Sequence, residues 1–137
     1  MNIIYRTNIA LDAEAVADVL RRSGIRRPVD DVPRIGRMIA NANLIITAWD
    51  VPSDGPEVLV GIARCLTDFA YCCYLSDLAV DREYQRQGIG KQLVKRVEEA
   101  IGDESMLLLL AAPAAMDYYP YIGFNKVENA WMLPRKR

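Results

Sequence analysis

A glutamine and two glycines stand at fixed spacing in Gln85-Arg86-Gln87-Gly88-Ile89-Gly90-Lys91, between the strand-like run Leu75–Val80 and an amphipathic segment. Glycines at a helix start let bare backbone N–H groups approach a ligand, and the positive end of the helix dipole favours anions. Such a turn is a pyrophosphate cradle in which no side chain need carry the charge. Two other phosphate-binding patterns fail on spacing. A Walker-type loop needs Gly at position 85 and Ser or Thr at 92, where Gln85 and Gln92 stand; a dinucleotide fingerprint needs a small residue at 93, where Leu93 stands. On the residues alone, the glycines serve equally well simply to turn the chain into its helix.

The composition narrows the chemistry further. There is no histidine and no Cys-x-x-Cys pair, which argues against a zinc site. Cys65, Cys72 and Cys73 lie in apolar strand-like segments and read as buried, reduced thiols. Seventeen basic against eighteen acidic residues leave a net charge of −1, so no general affinity for nucleic acid or anionic membrane is expected. No run approaches the ~20 apolar residues of a membrane span, and no charged-then-apolar leader opens the chain, so the expectation is a cytoplasmic protein. At 137 residues, 52% of them hydrophobic, one domain over residues 1–137 is expected.

Elements to position the glycine turn follow from periodicity. Asn2–Arg6 predicts a strand. Asp12 caps a helix with Ala13, Val16, Val19 and Leu20 on one side and Gly24 as its stop, and Asp31 with Pro33 opens a second helix striped by Ile35, Met38, Ile39 and Ala42. Leu44–Asp50 and Val58–Thr67 flank the turn cluster Pro52–Pro56 as a hairpin, and Tyr71–Val80 is a longer strand. Ile89, Leu93, Val94, Val97 and Ile101 stripe the helix after the glycines. Met106–Ala111 reads as a strand buried on both faces. Pro113 starts a short helix carrying Tyr118 and Tyr119, and Phe124–Val127 with Ala130–Leu133 read as two short strands before a frayed tail. The order is that of an α+β layered domain with a mixed, mostly antiparallel sheet.

The run "LAVDREYQRQGIGKQL" resembles motif A of the GNAT superfamily of acetyl-CoA-dependent N-acetyltransferases, Gln/Arg-x-x-Gly-x-Gly/Ala. "DYYPYIGF" resembles its motif B, on Tyr118, Tyr119, Gly123 and Phe124. The likeness is strong from about Leu75 to Phe124. It implies the GNAT fold, with helices on both faces of the sheet and fourth and fifth strands that splay apart. It also implies acetyl-CoA as cosubstrate, its pyrophosphate on the amides of Gln85, Arg86, Gln87, Gly88, Ile89, Gly90 and Lys91. The pantetheine arm would pair with the backbone at Leu78 and Val80 like an added strand. An amide near Leu78–Ala79 would polarise the thioester carbonyl as negative charge develops there.

Tyr119 aligns with the tyrosine that protonates the departing thiolate in many family members, and reference pKa values of phenol and thiol lie within ~2 units of each other. Tyr118 stands where the family usually has Phe and reads as packing. For a general base, Asp77 is the only carboxylate in the fourth strand; a hydrogen-bonded structural role is the alternative. Strand alternation sets Asp77 and Ala79 opposite Ser76, Leu78 and Val80 unless a bulge intervenes. Arg21, Arg22, Arg26 and Arg27 either face an acidic acceptor or ring an exposed helix end. Ala112-Pro113 replaces the Asn with which many members contact CoA. The implied activity is acetyl transfer to a primary amine, on a small molecule or peptide, by direct attack in a ternary complex; the alternative is an acyl-CoA-binding module without catalysis. Phe124, Val127, Trp131, Met132 and Leu133 would leave an apolar strand pair at the sheet edge, which a homodimer would cover.

Overall fold

The computed structural model describes residues 1–137. Strands β1 (Ile3–Thr7), β2 (Leu44–Asp50), β3 (Val58–Thr67), β4 (Cys72–Val80) and β5 (Met106–Leu108) form one sheet in chain order. Neighbours from β1 to β4 run antiparallel, and β5 joins β4 in parallel. Helices α1 (Ala13–Ser23) and α2 (Val32–Asn41) cover one face, α3 (Ile89–Ile101) covers the other, and the single turn α4 (Tyr118–Tyr121) follows β5.

Local signals account for the helix ends. The Asp12 side chain accepts from the Glu14 amide, and the Asp31 side chain accepts from the Arg34 amide, each relieving an orphan donor of a first turn. Val16, Val19, Leu20 and Ile35 pack on Ile45, Leu59, Ile62 and Ala79. Across the sheet, Ile89, Leu93, Val94, Val97 and Ile101 pack on Leu44, Ile46, Val60, Ala63, Cys65, Cys73 and Leu75. At about 1.5–3 kcal/mol per fully buried large apolar side chain, that stripe fixes α3, and with it the loop preceding it. No helix is long and apolar enough to cross a membrane.

Three expectations need correction. The strand predicted over Met106–Ala111 is only three residues long and Met106 is 56% exposed, because β5 has β4 on one side and nothing on the other. Phe124–Val127 and Ala130–Leu133 form no strands; with no partner ladder to satisfy their backbone, apolar alternation alone does not make a sheet. Cys65 and Cys73 are buried, but Cys72, at the exposed start of β4, is not.

Candidate active site

β4 carries a bulge. Arg64 of β3 pairs with Asp77 but Cys65 pairs with Leu75, so Ser76 has no opposite number. The extra residue reverses the alternation: Cys73 and Leu75 face α3, whereas Asp77 and Ala79 beyond the bulge face α1 and α2, and Leu78 and Val80 lie on the α3 side. β5 pairs with β4 only from Cys72 to Tyr74. Beyond Tyr74 the two strands part, and the β4 edge from Leu75 to Val80 has no strand beside it.

A cleft of about 650 Å³ occupies this gap. Leu78 and Val80 form its floor, Gln85, Arg86, Gly88, Ile89, Gly90 and Lys91 one end, and Tyr118 and Tyr119 a wall. The loop is held in place from below. Asp81 caps the 3₁₀ turn Arg82–Tyr84, Tyr84 Oη donates to Asp50 at 2.6 Å, and Gln85 Nε2 donates to the Val80 carbonyl at 2.9 Å. Arg86 (φ 65°) and Gly88 (φ 83°) both adopt the left-handed region, at a cost of order 1–2 kcal/mol for Arg86 and little for glycine. Gly88 is the N-cap of α3 and supplies no side-chain acceptor, so the amides of Ile89, Gly90 and Lys91 are left free toward the cleft. Those donors and the adjoining Arg86 and Lys91 fit a diphosphate; the open β4 edge beside them fits an extended amide-bearing chain.

The tyrosines face these donors. Tyr119 is half-buried, its ring edge-on to Tyr118 at 5.4 Å and to Phe124 at 5.6 Å. Burial pushes its phenol pKa up, Tyr118 adds to the rise, and the nearby Arg27 guanidinium partly offsets it. Burial also raises Tyr118. Both therefore stay protonated near neutrality, as a proton donor must. A Cβ placed on Gly90 would lie 2.8 Å from the Tyr118 hydroxyl, so that hydroxyl sits directly over the start of α3.

Residues 34–131 match the acetyltransferase (GNAT) domain family. The chain belongs to that family. Over 69 residues it is 38% identical to GCN5-related N-acetyltransferase 2, chloroplastic, of Arabidopsis thaliana, a match covering 49% of this chain and 27% of that protein. The chain thus spans about a quarter of that relative's length. Its fold is that of a probable acetyltransferase of unknown function from meticillin-resistant Staphylococcus aureus, with TM-score 0.81, 20% identity, and coverage of 99% and 100% of the two chains. It is also that of aminoglycoside N-acetyltransferase AAC(6')-Iy in complex with CoA, with TM-score 0.68, 16% identity, and coverage of 99% and 96%. The chain carries a domain of the GNAT acetyltransferase family, and the parallel, splayed β4–β5 pair is a feature of that fold.

Within this GNAT domain the residues singled out from the sequence do not all meet. The cleft's lining comes from the segments around the glycine turn and the tyrosines, and Asp77 is not among its residues. It is 1% exposed, on the α1–α2 side of the sheet. Arg27 Nε donates to one carboxylate oxygen at 2.6 Å and Arg64 Nε to the other at 2.5 Å. Both carboxylate oxygens are thereby paired with guanidiniums in a buried layer outside the cleft, which fits the hydrogen-bonded structural role. Ala79 turns its side chain into the same buried layer, with its backbone paired to Ile62, and Gln87 lies outside the cleft. The sequence reading missed Tyr84 and took Tyr118 as packing; only the hydroxyl that replaces the family's usual Phe pointed to more.

Proposed function

We propose that the chain is an acetyl-CoA-dependent N-acetyltransferase that acetylates a primary amine by direct attack in a ternary complex. The observation that carries this is one cleft with free α3 amides at one end, an unpaired β4 edge along its floor and the protonated Tyr119 hydroxyl in its wall. Acetyl-CoA would supply the activated thioester. The amides of Ile89, Gly90 and Lys91 would hold the diphosphate, with Arg86 and Lys91 adding charge. The amine nitrogen bonds to the thioester carbon, the C–S bond breaks, Tyr119 gives its proton to the departing sulfur, and the proton lost by the amine goes to water.

The two buried thiols support a direct transfer. Burial, reinforced by Cys73, drives the Cys65 thiol far above its ordinary pKa, and burial raises Cys73 as well, so neither supplies a thiolate to carry an acetyl group. Trp131 and Leu133 are each 96% exposed, which keeps a second copy of the chain as part of the proposal; light scattering reads it out.

Calorimetry with CoA, paired with thiol release across an amine panel, tests the reading. Gly90→Glu, which sets bulk and negative charge against a dianion, is expected to weaken CoA binding by roughly 10²-fold or more while the protein stays folded. Equal affinity in wild type and variant would show that the cradle is misplaced. Tight binding without turnover of any amine would favour the non-catalytic module.

A further inference from the structure

The buried charge behind β4 does not balance. Arg27 and Arg64 share the single carboxylate of Asp77, leaving one positive charge in excess. Arg64 is closed off, with 9% of its side chain exposed, and its terminal nitrogens donate to the Met38 carbonyl and the Ser76 hydroxyl. Arg27 is different. It sits in the connection between α1 and α2, its side chain remains 27% exposed, and Nη2 donates to the carbonyl of the bulged Ser76 at 2.7 Å. Nη1 donates to the Arg26 carbonyl at 2.6 Å. Each terminal nitrogen keeps one N–H.

That anchors a partly open guanidinium on the Ser76 carbonyl, two residues before the cleft residue Leu78 and just beyond the last β4–β5 pair at Tyr74, where its charge also lowers the Tyr119 phenol pKa. Beyond the Asp77 carboxylate that it shares with Arg64, no carboxylate pairs with it. Asp30 is 98% exposed and meets Arg21, and the Asp31 side chain is spent capping α2. The cleft itself is lined by Arg86 and Lys91 and by no acidic residue. An acceptor at the gap meets the one excess positive charge of the Arg27–Arg64–Asp77 cluster, which disfavours a polycation and favours an anion.

Resting on the acetyltransferase reading above, we infer that the acceptor is an anionic amine of amino-acid type, whose carboxylate is received by Arg27 at the mouth of the β4–β5 gap. A guanidinium matches a carboxylate in both charge and planar geometry. The same field disfavours the ammonium form of the nearby amine, and so supplies the free nucleophile without a dedicated base. That resolves a gap in the site, since the chain has no histidine and Asp77 lies outside the cleft, paired with Arg27 and Arg64.

The test is steady-state turnover of matched acceptors, the free amino acids against their carboxamides, together with the aminoglycoside sisomicin as polycation. For at least one amino acid, kcat/KM should exceed that of its carboxamide tenfold or more, and sisomicin should be poorer than either. Arg27→Gln should bring each such pair within about twofold, while CoA affinity measured by calorimetry stays unchanged. Arg27→Lys, which keeps the charge if Arg27→Gln folds poorly, should retain most of the preference. Carboxamides or sisomicin used as well as amino acids would overturn the inference, as would a preference that survives in Arg27→Gln. So would failure of every amino acid as acceptor with CoA binding intact. Loss of CoA binding in the wild type would instead count against the acetyltransferase reading itself.

Discussion

The two faces of β4 are built by opposite means. Toward α3, the strand offers backbone: an unpaired edge, a left-handed glycine and helix amides with nothing to cap them. Toward α1 and α2, the same strand buries a carboxylate between two guanidiniums. The first arrangement leaves donors unsatisfied so that a ligand can satisfy them; the second pairs each carboxylate oxygen with a guanidinium from the protein itself. The bulge at Ser76 is where one becomes the other, and Arg27 and Arg64 hold its carbonyl and hydroxyl.

The largest effect should come from breaking the closed face. Asp77→Asn keeps the shape of the side chain and removes its charge, leaving two buried or half-buried guanidiniums with no counter-ion. A loss of about 3–5 kcal/mol in unfolding free energy is expected, read by urea denaturation. Were Asp77 an accessible base instead, stability would hold within ~1 kcal/mol and kcat alone would fall.

On the open face, Tyr119→Phe keeps the ring and removes the proton. It should lower kcat by roughly 10²-fold with CoA affinity nearly unchanged. The pH profile adds a sign. Tyr119 acts protonated and its pKa is raised, so wild-type activity persists below that raised value and is lost as pH climbs through it, above the ordinary phenol value of ~10. The Tyr119→Phe variant should lack that alkaline limb. An unchanged limb in a chemistry-limited assay would move the proton donor elsewhere.

The same contrast explains what the sequence disclosed. Gln85 to Lys91 and the stripe of α3 are local, set by spacing within one turn and one helix, and they stand where the periodicity places them. The ion cluster joins residues 27, 64 and 77, which no local window contains. Asp77 was legible as a lone carboxylate in a strand, but which face it takes depends on a bulge that spacing does not reveal. The end of the chain failed for another reason. Phe124 to Leu133 has strand-like residues, yet β5 is three residues long and offers them little edge to pair with.

The smallest effect sharpens the comparison where the open face meets its wall. The GNAT pattern read from the sequence allows alanine at position 90, yet a Cβ there would stand 2.8 Å from the Tyr118 hydroxyl and 3.6 Å from its Cζ. Gly90→Ala alone must therefore displace the hydroxyl. Tyr118→Phe alone should lose one donor toward the ligand; each change should weaken CoA binding by a few-fold to about tenfold, the range of a single hydrogen bond. Together they should cost no more than Tyr118→Phe by itself, because the remaining ring carbon lies at ordinary contact distance. Stability gives a second readout with its own sign. Alanine is the better helix former by up to ~1 kcal/mol, so Gly90→Ala should raise Tm when combined with Tyr118→Phe and not in the wild type. The cycle must then be non-additive in both affinity and stability. Strict additivity would mean that the hydroxyl does not occupy the space over Gly90, and that the glycine is kept there for the ligand alone.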